Sequence, residues 1–593
     1  MAKEKKKKKK KDSKDKEKEQ DFIKQLRIAY RTLEDPKKFY KTIFFPLVFI
    51  GIIVMAMPFI LNAVLPTPIN FNQMTFIIGG VVPIFLGVLY PFISWKSREN
   101  DINSKMHFFI THLRVLSVSD LSLKDIINIL GGKKAYGALG EELKRISVLS
   151  TQWRMPLSKS FRFISERTPS KIFKDFLDRF SQSLDSGVEH REFIETEQEA
   201  VLQEYKTIYE SSNENVVILN EVYVAMLIAI IFVMSLGIVL PFIMGTENMN
   251  TFIFLSSFLM IISEGMLMYL LKAMIPQDDI WHVTGEKGEV EEKLSKYFKT
   301  SIVLSMLIGS FFFYALFSLN LPFFNSLPMG VLIPILTAVS VSPMLVVGIT
   351  TFREEQDMSR KEKNFLSFLP ALGSISTMRG GRINDSVYYL SEKDYGVLTK
   401  HIRDLYRRLR TRIDDDAAWE WFGVDTGSNY VQRSSEMFRE ATYAAANPRN
   451  VSRMISENIR KIRDLRVKKL TIINTSIALF IGITFGIAFS IYVSLIIGEK
   501  LNNLIPQTYP AAGTEASIDI GNILFHVPPE EYGFNYIIIF FVLVIHCIMM
   551  ALTLRLLRGS HKYVTFLYFV PLVWVVTITS FVVDHFFGDL LGV

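Results

Sequence analysis

The sequence predicts an all-α membrane protein that crosses the bilayer nine times and carries two helical domains in the cytoplasm. Hydrophobic residues make up 49% of the chain, and the mean hydropathy is +0.25, which is high for a water-soluble protein. Nine apolar runs have about 20 residues each, the length that crosses a hydrocarbon core of ~30 Å as a helix. The two long polar segments between these runs show helical periodicity and no alternating, strand-like pattern.

The first segment, 1–42, is predicted to be a disordered lysine-rich tail followed by a juxtamembrane stretch. It contains seven consecutive lysines, Lys5 to Lys11, among other charged residues. Such a run cannot bury an apolar core. The first apolar stretch begins near Ile43 and is too long for the apolar region of a secretory signal. We therefore expect the first span to stay attached.

The distribution of basic residues predicts the orientation of the spans. If the lysine-rich tail is cytoplasmic, Lys500 alone among the 67 Lys and Arg residues falls outside, as expected when basic loops stay in the cytoplasm. We therefore predict a multi-pass protein of the cytoplasmic membrane with a cytoplasmic N-terminus, an external C-terminus and an external loop at 498–534. The predicted spans are 43–65, 74–95, 222–245, 251–273, 300–324, 328–352, 470–497, 535–557 and 564–587.

Two polar segments, 96–221 and 353–469, are predicted to form cytoplasmic helix bundles, with a cytoplasmic linker at 274–299. In the first, Phe173, Phe176 and Phe180 recur at helical spacing, together with Leu177 and Leu184, and so form one apolar stripe. In the second, the same spacing is seen in two sets of residues: Phe365, Phe368, Leu369 and Leu372, and Leu398, Ile402, Leu405 and Leu409.

The two bundles with their flanking spans are predicted to be tandem copies of one unit. The stretch Lys134–Leu139 matches Lys393–Leu398 at an offset of 259 residues, and His107–Phe109 matches Asn364–Leu366 at an offset of 257. Each bundle is preceded and followed by a pair of spans. An internal repeat of this kind constrains the whole architecture, and the ninth span is then an addition to the second copy.

No catalytic centre, metal site or cofactor site is predicted. Cys547 is the single cysteine, which rules out an intrachain disulfide framework and a thiolate metal cage. Gly131-Gly132-Lys133 lacks the upstream glycine of a phosphate-binding loop, because position 127 is Ile. Asp414 to Asp416 fit an acidic helix end better than a cation site. We expect neither enzymatic activity nor a nucleic-acid partner.

Two ionisable residues, Glu264 and His546, lie well inside predicted spans. They occupy nearly equivalent positions, in the second helix after each bundle. Ionisable groups at membrane depth are costly and are functional candidates. One hypothesis makes them an ion or proton site of a transporter, and the other, which we favour, makes them a hydrogen bond between packed helices.

The second cytoplasmic segment is the more basic of the two. It carries 23 Lys and Arg against 17 Asp and Glu, while the first carries 18 against 19. On the helix that bears Leu398 and Leu409, each residue is rotated by about 100° from the one before it, and this rotation places four cations on the face opposite the apolar stripe. These cations, which we call the basic stripe, are Lys400, Arg403, Arg407 and Arg410. A solvated face that follows from the positive-inside rule is the competing explanation, and anionic lipid headgroups are a further possible partner.

The stretches His107–Asp125 and Phe176–Gly187 resemble the cytoplasmic domain of the type II secretion F family, the inner-membrane platform proteins of type II secretion and type IV pilus machines. The stretch Asn364–Gly381 and the number of spans resemble the archaeal members of the family, which serve the archaellum. The resemblance covers both cytoplasmic segments and the spans beside them, but not the lysine-rich tail.

The resemblance implies a non-enzymatic platform beneath a filament. Such a platform binds a hexameric secretion ATPase, contacts filament subunits and other motor components, and couples ATP turnover to filament assembly and, in the archaellum, to rotation. It also implies a homodimer, and the basic stripe is then a candidate contact for the ATPase. The rival hypothesis is a secondary transporter or channel with a midplane site near Glu264 and His546, in which more than 200 cytoplasmic residues would have no evident role.

Overall fold

The computed structural model describes residue 30 and residues 36–64, 73–244, 249–275, 278–282, 288–318, 328–411, 414–508 and 529–590. These residues form helices joined by short connections, and they contain no strand, only an isolated bridge between Trp281 and Ser428. The predicted all-α class is confirmed. Residues 1–29, which include the lysine run, and 509–528 of the predicted external loop lie outside the described residues.

The helices through the first half follow this order: α1 Phe45–Val64, α2 Gln73–Ser117, α3 Leu123–Gly132, α4 Gly137–Thr151, α5 Leu157–Ser165, α6 Lys171–Asp185, α7 His190–Met244 and α8 Met249–Met274. The second half continues with α9 Glu289–Ser318, α10 Met329–Val341, α11 Met344–Met378, α12 Ile383–Ser391, α13 Thr399–Thr411, α14 Asp415–Thr426, α15 Asn429–Tyr443, α16 Pro448–Thr508, α17 Pro529–Arg558 and α18 Thr565–Leu590. A short helix, Pro36–Phe39, and a π-helical turn, Tyr40–Phe44, lead into α1.

Four helices run without a break from the predicted spans into the cytoplasmic segments. They are α2, α7, α11 and α16, and each passes the boundary that hydropathy suggested at 95, 221, 352 or 469. α16 also continues into the predicted external loop as far as Thr508. Its Gly498 does not end the helix, since one glycine costs only about 1 kcal/mol in a helix interior.

Six helices of the described residues are long and apolar enough to cross a membrane: α7, α8, α9, α16, α17 and α18. A seventh candidate is the pair α10 and α11, which is bent by 45°. The break falls at Ser342 and Pro343, where the proline cannot donate a helical hydrogen bond. The predicted spans 43–65 and 74–95 coincide with α1 and the first part of α2, where only some side chains are described, and they are not among these seven.

The two cytoplasmic segments run through the same order of elements. Each begins on the continuation of a membrane helix, passes through one short helix and a 3₁₀ turn, and then through three helices before a long helix returns to the membrane. The 3₁₀ turns are Lys134–Tyr136 and Gly396–Leu398. Serine and aspartate side chains cap several of these helices by accepting hydrogen bonds from the first turn: Ser122, Ser170, Asp414 and Ser428.

The two segments share one continuous hydrophobic core, although the sequence predicted two separate bundles. The largest buried cluster combines side chains of α2 to α7 with side chains of α11 to α16. A second cluster joins α7, α8, α10 and α16 to α18 in the membrane region. The predicted linker is also anchored, because the His282 N–H donates to the Gly427 carbonyl at 3.0 Å and the Asn429 N–H donates to the Ile280 carbonyl at 3.0 Å.

Candidate functional site: a basic stripe, a membrane pair and a domain junction

The basic stripe lies on α13, and the packing of this helix determines which side chains are exposed. Its buried side contributes Ile402, Leu405 and Leu409 to the shared core. Its opposite side leaves all four stripe cations in solvent: Lys400, Arg403, Arg407 and Arg410. The 3.6-residue period therefore separates the two kinds of side chain as the sequence predicted.

Few interactions neutralise the charge of the basic stripe. Arg407 contacts Asp404 at 3.1 Å, but the arginine side chain is 77% exposed, and such surface pairs contribute little. Arg403 donates to the Ser391 carbonyl at 3.3 Å. Within the described residues, Lys400 and Arg410 make no ion pair. The stripe is thus a positively charged surface open to an acidic partner.

His401, between the stripe and the core, is neutral at pH 7. Burial, followed by the nearby charges of Lys361 and Lys400, lowers the pKa of His401 to about 4. The imidazole therefore adds no charge to the stripe under ordinary conditions.

An open cleft of about 970 Å³ adjoins one end of the stripe. Arg410 lines it together with Arg379 and Arg382, which flank two glycines after α11. Gly380 and Gly381 have φ of +68° and +86°, so this is a tight turn that favours glycine. The aromatic lining of the cleft comes from other elements: Tyr388, Tyr406 and Tyr443. The sequence did not predict this cleft. The run Arg379-Gly-Gly-Arg382, two arginines around a glycine turn, is the part of the lining that can be seen in the sequence.

The three aspartates at the start of α14 lie at the N-terminus of the helix, where Asp414 is the capping residue. The Asp414 carboxylate accepts a hydrogen bond from the Ala417 N–H at 3.0 Å. Asp416 pairs with Arg439 at 2.5 Å, and Asp415 accepts from Asn384 at 2.9 Å. Each carboxylate has its own protein partner, as the helix-end interpretation expects.

Glu264 of α8 and His546 of α17 are in direct contact. The His546 Nδ1 meets the Glu264 Oε1, and both side chains have no exposed surface. On its other side, the imidazole Nε2 lies 3.1 Å from the Thr484 hydroxyl of α16. Among the described residues, the second carboxylate oxygen of Glu264 has no hydrogen-bond partner. The pair therefore ties helices of the two halves of the chain together.

A third polar cluster, not predicted from the sequence, joins the two cytoplasmic segments. Glu440 of α15 accepts a hydrogen bond from Lys133 and lies 3.1 Å from His112 Nε2 of α2. His112 Nδ1 in turn lies 2.9 Å from the Tyr136 hydroxyl. We call Glu440, Lys133 and His112 the junction triad.

Electrostatics hold Glu440 ionised in the junction triad. Burial alone would raise its pKa, but the hydrogen bonds and charges of His112 and Lys133 outweigh that effect and lower the pKa to about 2. For Lys133, the neighbouring Glu436 and Glu440 likewise overcome the effect of burial and raise the pKa. Glu440 and Lys133 thus form a charged contact between the segments at neutral pH.

Arg433 reinforces the same junction. Its guanidinium donates to the Ala135 carbonyl of the first segment and, at 3.0 Å, to the Asn429 side chain. It also lies 4.7 Å from the centre of the Phe108 ring, a cation–π geometry. No periodicity or motif could have predicted the contacts with Ala135 and Phe108, because Ala135 lies 298 residues before Arg433 and Phe108 lies farther still.

Comparisons with known proteins identify the family. Residues 109–238 match the family described as Type II secretion system (T2SS), protein F. The chain is 31% identical over 573 residues to "Flagella accessory protein J" of Methanocaldococcus jannaschii, covering 94% of this chain and 96% of the relative. The chain belongs to the flagella accessory protein J family. It is also 31% identical to "Flagella accessory protein J" of Methanococcus voltae over 575 residues, 95% of this chain and 99% of the relative.

Family membership confirms the resemblance seen in the sequence. The chain is a multi-pass membrane component of an archaellum and type II secretion-like assembly platform, and it is not an enzyme. Its partners are therefore components of an assembly machinery. No solved structure matches the chain, so the geometry above comes from this structure alone.

Proposed function

We propose that the chain is the membrane platform of an archaellum or related type IV pilus-like filament, and that a hexameric secretion ATPase docks on the basic stripe. The platform couples ATP turnover in that motor to filament assembly and rotation, and it also contacts filament subunits and other motor components. The observation that carries this proposal is the exposure of Lys400, Arg403, Arg407 and Arg410 on one face of α13, whose other face is held in the core.

The rigidity of α13 favours this site. A helix that buries Ile402, Leu405 and Leu409 presents its cations at fixed spacing, so an acidic surface can meet them without ordering a loop first. Complementary charge accelerates association and selects the partner. The attraction is screened by salt, since the Debye length is ~8 Å at physiological ionic strength.

Charge reversal on the stripe tests this proposal. We expect Arg403→Glu, Arg407→Glu and Arg410→Glu together to weaken capture of the purified ATPase by at least about tenfold, the equivalent of ~1.4 kcal/mol. Binding to the full-length protein in detergent would be measured across a salt series, with circular dichroism as the check of folding. The full chain is used because the segment 353–469 shares its core with the first segment.

The matched control reverses three exposed cations on another helix of the same segment. Arg453→Glu, Arg460→Glu and Arg463→Glu on α16 change the net charge equally, and we expect capture to be retained. If both triple variants lose binding alike, overall charge explains the effect. If the stripe variant is folded and binds without salt dependence, the stripe is not the motor interface.

We further propose that the two halves are tandem copies with a register of 259 residues. Gly137 and Gly396, which are 259 apart, both have positive φ, +49° and +58°. A β-carbon at Gly137 would meet Lys105, and one at Gly396 would meet Asn364, two residues that are again 259 apart. This register replaces the predicted match of His107 with Asn364 at an offset of 257.

We also propose nine spans, a cytoplasmic N-terminus and an external C-terminus, supported by the placement of basic residues. An epitope tag at 510–520 is expected to be reachable by protease on intact cells, and a tag at 425–430 is not. External cleavage within 353–469 would contradict this orientation.

For Glu264 and His546 we propose a packing role in place of an ion pathway. Their direct contact, with Thr484 beyond it, is the interhelical hydrogen bonding that joins membrane helices. We also propose that the chain forms a homodimer, as the family resemblance implies. We propose in addition that its basic cytoplasmic residues contact anionic lipid headgroups.

A further inference from the structure

An apolar groove of about 450 Å³ lies between α4 and α5 of the first cytoplasmic segment. The apolar side chains that line it are Val148, Leu149, Trp153, Phe163 and Ile164. Two of them are unusually open for large aromatic residues, since Trp153 is 72% exposed and Phe163 is 40% exposed. Exposed aromatic patches with a polar rim mark binding surfaces, and tryptophan is the residue most enriched at the energetic centres of interfaces.

The rim of the groove is basic. Lys144 and Arg145 line its edge on α4, and the exposed Arg154 follows Trp153 directly. Among the described residues, Lys144 and Arg154 make no ion pair. The one acidic residue of the lining, Glu141, pairs with Arg98 at 2.9 Å. Arg98 and the rim residue Arg145 also both contact the buried Glu142, at 3.2 and 3.4 Å, so the free positive charge of the rim is that of Lys144 and Arg154. The groove therefore presents an apolar floor with uncompensated positive charge beside it.

The Phe163 end of the groove lies toward the cytoplasmic end of the segment, whereas Glu141 at the other end pairs with Arg98, which follows the predicted membrane boundary at residue 95 closely. Arg162, next to Phe163, pairs with Asp185 at the end of α6 at 3.4 Å. A few residues later, Arg191 donates to the Ser119 carbonyl at 2.9 Å. Ser119 follows the end of α2, which extends about 35 Å beyond the predicted membrane boundary at residue 95, at 1.5 Å per residue. The distance of the aromatic end of the groove from that boundary favours a protein occupant over lipid there.

We propose that this groove docks an acidic amphipathic helix of a protein partner other than the motor that we place on the basic stripe. A groove between two helices accepts the side-chain ridge of a third, and apolar anchors at i, i+3 and i+4 would fill its floor. Glutamate or aspartate on the flanks of that helix would meet Lys144 and Arg154. The proposal does not depend on the stripe, because it uses another helix and another kind of surface.

The test uses the full-length protein in detergent, with a solvatochromic dye at Gln152→Cys. The native Cys547 is fully buried, so the dye reports from the groove alone. The probe is a helical peptide with leucine at i, i+3, i+4 and i+7 and glutamate elsewhere. The control peptide has the same leucines and lysine in place of glutamate.

The proposal expects the glutamate peptide to bind at least about tenfold more tightly than the lysine peptide. Trp153→Ala should weaken binding of the glutamate peptide by at least about tenfold, and Lys144→Glu with Arg154→Glu should invert the preference between the peptides. Arg403→Glu with Arg407→Glu on the stripe should leave binding unchanged. Circular dichroism would show that each variant is folded.

Three outcomes would overturn the proposal. Equal binding of the two peptides would show that charge plays no part. Retained binding in a folded Trp153→Ala variant would place the peptide elsewhere. Failure of the peptide to bind, together with a dimer that Trp153→Ala dissociates in light scattering, would show that a second copy of the chain occupies the groove.

Discussion

The two cytoplasmic segments have the same order of helices, yet corresponding helices face solvent with different chemistry. On α4, the buried apolar side chains are Leu139, Leu143 and Ile146, and at an offset of 259 residues Leu398, Ile402 and Leu405 are buried in the second segment. All six have no exposed surface. These three core positions are therefore apolar in both segments, although α4 also buries Glu142 and Ser150.

The outward positions of the same two helices differ. Lys400, Arg403, Arg407 and Arg410 on α13 correspond, at the same offset, to Glu141, Lys144, Val148 and Thr151 on α4. One face is a basic stripe, and the other borders an apolar groove. Close packing restricts the residue types at core positions, because changes of side-chain volume are destabilising there. Exposed positions lack this restriction, so their residue types can differ with the partner that binds. The difference teaches that one scaffold presents two chemically different surfaces.

The largest effect is expected where the two segments meet. Arg433→Met keeps an unbranched apolar stem but removes the guanidinium and its hydrogen bond to the Ala135 carbonyl, at a cost of about 2–4 kcal/mol, because a buried acceptor loses a charged donor. Thermal unfolding in detergent would measure the loss of stability. For the control Arg453→Met, at an exposed position, we expect a change in the free energy of unfolding near zero. Limited proteolysis should then cut both segments, and cutting confined to the second would show that the segments are independent.

Acid should weaken the same junction. The pKa of Glu440 is lowered to about 2 in the folded protein, so its contribution is present above the ordinary pKa of about 4.5 and is lost as the pH falls from there toward 2. We expect a loss of roughly 2–3 kcal/mol over that range. The thermal midpoint of Glu440→Gln should depend less on pH than that of the unchanged protein, while the exposed Glu457→Gln should behave like the unchanged protein.

A smaller effect tests whether the two segments are equivalent. Gly137→Ala and Gly396→Ala each place a β-carbon on a residue with positive φ, a strain of at least about 1–2 kcal/mol. The strain is larger at Gly137, whose ψ of −125° lies outside the left-handed helical region. Contacts with the Lys105 and Asn364 side chains add to it. Gly132→Ala, which meets nothing within 4 Å, is the control, measured by the same thermal unfolding. Sensitivity of only one of the two glycines would break the proposed equivalence.

The smallest effect is expected in the membrane. Glu264→Gln and His546→Ala should each cost under about 2 kcal/mol, the range of polar contacts between membrane helices, and filament assembly should persist. Thr484→Val, which removes the contact with His546 and a local hydrogen bond to the Phe480 carbonyl but keeps the Glu264–His546 pair, is the milder comparison. Counts of filaments per cell at matched protein levels would measure this, and complete loss of filaments would favour the ion-coupled alternative.

Much of this protein could be predicted from its sequence because the signals are local. The membrane runs follow from hydropathy, the helical class follows from periodicity, and the exposure of the stripe on α13 follows from the spacing of Leu398, Ile402, Leu405 and Leu409. Each depends on side chains within a few turns of one another. The glycine turn at 380–381 likewise follows from the residues themselves.

Only the tertiary structure decided how the segments meet. Sequence periodicity shows that a helix has an apolar face, but not which other helix covers it, so the shared core of two segments that were expected to be separate could not be predicted. The same holds for the contact of Glu264 with His546, for the junction triad and for the Trp153 groove. In each case the residues or helix faces come together through packing between elements, and their chemistry depends on burial and on partners that the order of residues does not specify.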